Sequence, residues 1–386
     1  MTEDPRPRGS QEPLDTAYDV ALLDLDGVVY LGGTAIPGAA EALRKAAAAG
    51  MRLAYVTNNA FRTPAAIAAL LTGFGAPASP QDVVTSAQAV ARLLAERLPA
   101  GAPVLVIGGS GLRMALRERG LRPVSTASDQ PQAVVQGYSP DVSYSMLAEG
   151  GLAVAAGALF VASNGDLTLP SRRGRQPGNG SLIQVVATAT GVQPLVAGKP
   201  EPPLHRESVL RTGARHPLVV GDRLDTDIEG AHRVGTDSML VLTGVTGPAE
   251  AVAAPPSQRP TYLAEDLTGL LEPHPEISVE DGAFGCRGWT ARMRGDQLEL
   301  DGDGERIDGL RALCAAAWNP DAAPFSSAAA QAAAHSARSP SMRSPSPSSS
   351  SRSPRMRAVQ PRQPNAPSSA LISGCGSRRP VRSSAR

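Results

Sequence analysis

Short runs of large aliphatic residues that stop abruptly at polar clusters constrain this chain more than any other feature. VALLDLDG at 20–27, LAYVTNN at 53–59 and PLVVGDRLDTD at 217–227 each pass from apolar residues to acids, a hydroxyl or amides within a residue or two. Helix-period stretches such as AAEALRKAAAAG, AAIAALLTGFG and AQAVARLLAERL lie between such runs. Apolar runs without alternation are strands covered on both faces, and their alternation with helical segments implies βαβ units closing a parallel sheet. In such sheets ligands gather beyond the carboxyl ends of the strands, where the loops splay apart. There the acids escape the large cost of an unpaired carboxylate inside a sheet. A fourth run, PLVA at 194–197, leads into Gly198-Lys199-Pro200. As a neighbour in the same parallel sheet, it would add an ammonium to the cluster.

The rest of the composition narrows the class. At 386 residues, 42% of them hydrophobic, the chain can build two or three cored domains. Lys45 and Lys199 are the only lysines, in a background rich in Ala, Gly, Pro and Arg. The net charge of +1 hides an asymmetry: ten arginines and no acid follow Ser326, so +1 minus +10 leaves residues 1–325 at −9. An acidic body argues against a broad nucleic-acid face. Cys286, Cys314 and Cys375 have neither disulfide-framework nor zinc spacing. MTEDPRPRGSQEPLD lacks the basic end and apolar stretch of a signal peptide. The longest apolar stretch, LAVAAGALFVA, is shorter than the roughly 20 residues a membrane helix needs. The expectation is a cytoplasmic protein with no membrane partner.

DLDGVVY, then TNN, then GKP, then GDRLDTDIEGA, in that order, resemble the four motifs of the haloacid-dehalogenase-like (HAD) hydrolases. ASNGDLTLPSRRGRQPGNGSL is similar to the NagD-like or 4-nitrophenylphosphatase-type branch, which carries a large cap between the second and third motifs. The resemblance spans roughly residues 18–272. It implies a doubly wound parallel-sheet core of Rossmann-like α/β type at 18–85 and 194–272, with an inserted α/β cap domain at 86–193. A flexible start at 1–17, a small extension at 273–319 and a disordered Ser/Pro/Arg-rich tail at 320–386 complete the expected organisation, the tail because it has too few large apolar residues to offset chain entropy.

The residues suit phosphate-ester hydrolysis, which needs accelerations reaching ~10²¹. Asp24 is the expected nucleophile, forming an aspartyl-phosphate. Asp26, two residues on, would protonate the leaving oxygen and then deprotonate water; the family assigns the same roles and gives the Asp26 carbonyl to the metal. Mg²⁺ prefers one or two carboxylates, waters and substrate phosphate. The resemblance makes Asp222 a direct ligand beside Asp24 and Asp26, with Asp227 in support. Thr57, Asn58 and Asn59 would hold phosphate oxygens, and Lys199 would neutralise the transferring group and the nucleophile. Asp225 is expected to face solvent.

The expected activity is a Mg²⁺-dependent phosphatase acting on a small phosphorylated metabolite, since a large cap restricts access. The resemblance allows a cap-to-cap homodimer and leaves the metabolite open. VIGGSG at 106–111 reads as a tight strand-to-helix turn, because neither G-x-x-x-x-G-K-[ST] nor G-x-G-x-x-G is complete. The arginine-rich segment 171–180 is a candidate specificity loop, for instance for a second anionic group. Asp301–Glu305 lacks the frame of a calcium-binding EF-hand and reads as a hairpin turn. Two alternatives stand: a phosphotransferase of the same fold, and a non-catalytic interaction protein using the basic tail. The intact motif set argues against the second, and Asp26 beside the nucleophile against the first.

Overall fold

The computed structural model describes residues 6–169, 173–322 and 325–336. Six parallel strands form the core sheet in the order Tyr262–Ala264, Asp237–Val241, Pro217–Gly221, Val20–Leu23, Arg52–Thr57 and Val83–Thr85. The first strand in sequence sits in the middle, with Val20 in register with both Pro217 and Arg52. Strand order therefore runs outward in both directions from Val20–Leu23, and that reversal opens a crevice at its carboxyl end.

Alternate residues of these strands feed two cores. Leu23, Tyr55 and Val220 pack with Leu43 and Leu71 on one face. Leu22, Val56 and Val219 pack with Val90, Leu94 and Leu204 on the other. The covering helices start where the local chemistry directs. Thr63 accepts a hydrogen bond from the Ala66 amide and Pro64 opens Pro64–Gly73. Thr85 and Gln88 form a capping box at the start of Ser86–Ala95.

The cap contains a second parallel sheet of five strands, ordered Leu195–Val196, Leu159–Ala162, Ala133–Gln136, Pro103–Ile107 and Arg122–Val124. One expectation is corrected here: the PLVA run does not join the core sheet but forms the cap's edge strand. Only two of its residues pair, and they pair with Val161 and Ala162. Ser86–Ala95 packs against the cap helix Ser110–Glu118 and the core helix Pro202–Thr212 alike, so one apolar cluster runs from Leu22 and Val56 to Val104 and Val135. The 106–111 segment is the expected strand-to-helix turn, joining Pro103–Ile107 to Ser110–Glu118.

Residues beyond 273 form an antiparallel sheet of Ser278–Glu280, Ala283–Cys286, Trp289–Arg294 and Gln297–Gly302, followed by the helix Arg306–Trp318. Its first two hairpins turn at Asp281-Gly282 and Arg287-Gly288, all four residues at positive φ, the backbone that two-residue hairpin loops require. Asp301–Glu305 is not a hairpin turn as expected; it joins the last strand to the helix. That helix buries Leu310, Leu313 and Trp318 against Leu240, Leu263 and Val252 of the core. Arg311 donates from Nη2 to the Leu263 carbonyl at 2.7 Å, satisfying the outermost core strand.

Chain order also reaches further than the tail's composition implies. Ser327–Ser336 is a helix whose Ala330 and Ala333 are buried in the same cluster. Its SAAAQAAAHS sequence is an alanine block with high helix propensity, hidden when composition is averaged over the whole tail. Residues 337–386 lie outside the described residues, as does the expectation of disorder there. No helix among the described residues is long and apolar enough to cross a membrane.

Candidate active site

Asp24 is the first residue past Val20–Leu23, and its amide still donates to the Val220 carbonyl at 2.8 Å, so the sheet itself aims the carboxylate out of the crevice. Gly27 then turns the chain with φ of +91°. Asp26, one residue earlier, is exposed at the mouth, its Oδ1 accepting from the Gly32 amide at 3.4 Å.

Lys199 arrives from the cap side and is 4% exposed. Its ammonium contacts Asp24 Oδ1, lies 2.7 Å from Asp227 Oδ1 and donates to the Val56 carbonyl at 3.3 Å. Burial opposes its charge, but Asp227 and Asp24 outweigh that and raise its pKa. Asp24 is pushed up to about 6, burial outweighing the Lys199 charge. Asp222 is pushed up to about 7 by burial and by the neighbouring Asp227 and Asp24. Asp26 is raised by partial burial. The wide helical turn Leu224–Ile228 brings Asp227 back over the strand end, where its Oδ2 accepts from the Arg223 amide at 3.2 Å.

Three carboxylates this close demand a cation beyond one ammonium. Asp24, Asp222 and Asp227 each offer an oxygen within 4.8 Å of the others. Asp222 Oδ2 accepts from the Val245 amide at 2.7 Å, while its Oδ1 is buried with no partner. Glycines form the walls of this carboxylate: a Cβ on Gly27 would lie 2.3 Å, and one on Gly244 1.9 Å, from Asp222 Oδ2. An all-oxygen, carboxylate-rich set with one orphaned oxygen fits a hard divalent ion. Asp26 contributes no carboxylate to that cluster, and Asp227 already serves Lys199.

At the loop after Arg52–Thr57 the side chains of Thr57, Asn58 and Asn59 all meet protein partners. Thr57 is buried at the strand end, with Oγ1 accepting from the Asn59 amide at 3.1 Å. Asn59 Oδ1 accepts from the amides of Phe61 and Arg62 at 3.0 and 2.9 Å, which braces the loop. Asn58 turns inward and holds the Lys199 backbone at both ends, accepting from its amide at 2.8 Å and donating to its carbonyl at 3.1 Å. Asp225 is exposed and pairs with Arg223 through two bonds of 3.0 and 2.8 Å.

Asp166, which the sequence reading did not single out, accepts from Asn58 Nδ2 at 3.2 Å. With Leu167 and Thr168 of the cap, and Arg223 and Thr226 of the core, it lines a cavity of about 380 Å³ beside Lys199. Its only sequence signal was an acid in a polar loop after the strand-like LFVA, the same strand-end rule that located Asp24. Ser171 and Arg172 of the candidate specificity loop lie outside the described residues.

Known proteins resemble this chain over most of its length. The haloacid dehalogenase-like hydrolase family matches residues 21–122, a HAD-hydrolase-like family residues 196–270, and a GCN5-related N-acetyltransferase like domain residues 286–339. The D-glycerol 3-phosphate phosphatase of Mycobacterium tuberculosis is 46% identical over 314 residues, covering 79% of this chain and 87% of that protein. A crystal structure of the glycerol phosphate phosphatase of that organism in complex with magnesium superposes with a TM-score of 0.76 at 41% identity, over 84% of this chain and 99% of that one. A 5'-nucleotidase of Bacillus subtilis is 38% identical over 253 residues, 65% of this chain and 96% of its own length. With four motifs converging on one strand-end cluster and relatives matched over nearly their whole length, the chain belongs to the haloacid dehalogenase-like hydrolase family.

Proposed function

We propose that this chain hydrolyses a short polyol phosphate of the glycerol 3-phosphate type, with Asp24 as nucleophile and Asp26 as general acid and base. Its broader activity is that of a metal-dependent phosphatase of small phosphorylated metabolites. One observation carries the reading: Lys199 is clamped between Asp24 and Asp227 while the facing oxygen of Asp222 has no protein partner. Support for the polyol comes from the relative that shares 46% identity and from the small cavity beside Lys199, where Asp166, Thr168 and Arg223 offer polar groups.

Asp24, Asp222 and the Asp26 carbonyl would hold the Mg²⁺, with Asp227 in support. When bound, that ion supplies positive charge to the phosphoryl oxygens and the nucleophile. Lys199 lowers the repulsion between the Asp24 carboxylate and the phosphate dianion, and Thr57 with the following amides orients the phosphoryl oxygens. Asp24 Oδ forms a bond to phosphorus as the bond to the leaving oxygen breaks, and Asp26 gives its proton to that oxygen. Asp26, whose raised pKa favours holding this proton, then takes one from water as the water attacks phosphorus and frees Asp24. The exposed position of Asp26 at the crevice mouth suits both transfers, because it leaves the carboxylate open to leaving group and water.

Cytoplasmic residence belongs to the same reading, supported by the buried free thiols of Cys286 and Cys314. So does a homodimer, supported by exposed Leu152 and Val185 on packed cap helices and tested by sedimentation.

Release of p-nitrophenol from its phosphate ester should require Mg²⁺, stop with EDTA, and fall at least about 10⁴-fold in Asp24→Asn. In a panel of glycerol phosphates, nucleoside monophosphates and sugar phosphates, the highest kcat/KM should fall on a glycerol phosphate. A folded protein inactive across the panel would favour the non-catalytic alternative. Stable phosphate transfer to added alcohols in preference to water would favour a phosphotransferase.

A further inference from the structure

Asn58 lies at the seam between core and cap, and two cap side chains hold it. Its backbone carbonyl accepts from Asn164 Nδ2 at 2.8 Å, and its Nδ2 donates to Asp166 Oδ2 at 3.2 Å. The carbonyl also accepts from Ser86 Oγ at 2.7 Å, and the side chain spans both backbone groups of Lys199. Asn164 is itself fixed, its carbonyl accepting from Asn179 Nδ2 at 2.8 Å. Asn164 and Asn179 are 6% and 1% exposed. Space is tight as well: a Cβ on Gly198 would lie 2.4 Å from the Ser163 carbonyl oxygen and 2.6 Å from Asn58 Oδ1.

A lysine has four side-chain torsions, so where its ammonium rests depends on how firmly its backbone is anchored. Here the anchor is one asparagine, and a satisfied buried network is rigid in a way an exposed contact is not. We propose that Asn164 and Asp166 are positioning residues: by gripping Asn58 they hold the Lys199 backbone, and through it the ammonium, against Asp24. The cap thereby completes the catalytic charge balance as well as covering the substrate. The proposal rests on the phosphatase reading only for its kinetic consequence.

Asn164→Ala and Asp166→Ala test it, the second, at a half-buried residue, guarding against a folding defect in the first. Lys199 serves the phosphoryl group common to every substrate. Thus kcat should fall by the same factor, about tenfold or more, for p-nitrophenyl phosphate and glycerol 3-phosphate. In Asn164→Ala, whose side chain does not line the cavity beside Lys199, KM should stay within about twofold, a split that a specificity role would not produce. A second readout needs no turnover. Lys45 and Lys199 are the only lysines, so protein labelled with ¹⁵N-lysine carries two side-chain ammonium signals in NMR. The Lys199 signal should shift or broaden in both variants while that of exposed Lys45 stays. An unmoved Lys199 signal in both variants, or kcat within about twofold of wild type on both esters, overturns the proposal. A wild type inactive on both esters overturns the phosphatase reading, whatever the signal does.

Discussion

Gly244→Ala would test the assignment of Asp222 as metal ligand without touching a charged group. The new Cβ would stand 1.9 Å from Asp222 Oδ2 and 2.4 Å from Cγ, where real Cβ contacts essentially never fall below 3.0 Å. The carboxylate must retreat by at least about 1.1 Å, and it is held in place by the 2.7 Å bond from the Val245 amide. Losing that charge-assisted bond costs about 1.5–3 kcal/mol. Displacing a ligand through its surroundings typically costs about 10- to 100-fold in metal affinity. Half-maximal Mg²⁺ in the p-nitrophenyl phosphate assay, and the Mg²⁺ Kd by calorimetry, should both rise by that factor. Gly247→Ala in the same loop is the control. Its Cβ would meet only the mobile end of Glu250, at 2.8 Å, so Mg²⁺ dependence should change by less than about twofold. A Gly244→Ala protein with wild-type melting behaviour and wild-type Mg²⁺ affinity would refute the assignment.

Three further outcomes follow from the electrostatics. Asp222 has its pKa raised to about 7 from an ordinary 3.8, so between those values the folded metal-free protein holds a proton that the unfolded chain has released. Raising pH through that window lowers metal-free stability; because Mg²⁺ needs the carboxylate, its gain in Tm should be large near about pH 8 and shrink toward about pH 5. A Mg²⁺ effect on Tm independent of pH would contradict this. His205 is lowered to about 3 by burial, then by Lys199, and neither ring nitrogen has a partner. Between about 3 and 6.5 the unfolded chain binds the extra proton, so stability falls as pH falls; His205→Leu should flatten the acid side of a Tm–pH curve, and an unchanged slope would dismiss the residue. Arg311→Met leaves Asp308 buried without its 2.6 Å partner and should cost about 3–5 kcal/mol in urea unfolding while kcat is kept; a loss below about 1 kcal/mol would show that Arg311, which also donates to the Leu263 carbonyl, does not lock the 273–319 segment to the core.

Much of the candidate site was legible because strand-end chemistry is local. Asp24, Thr57 and Asp222 each follow an apolar run buried on both faces, and any parallel sheet delivers such positions to one rim. What local pattern could not decide was sheet membership. The two-residue strand Leu195–Val196 looks like a core strand in isolation, yet its hydrogen bonds go to Val161 and Ala162 of the cap. Lys199 still reaches Asp24, because two sheets meet at that rim.

The uses of polar side chains were likewise settled by distant partners. Asn58 holds Lys199 across 141 positions and meets Asp166 across 108. Arg311 satisfies Leu263 across 48. The order of apolar and polar residues along the chain determined which groups would stand at the crevice. Which of them face the substrate, which hold the lysine and which close the seam depended on pairings distant in sequence, since a donor's role is set by the acceptor that folding brings to it.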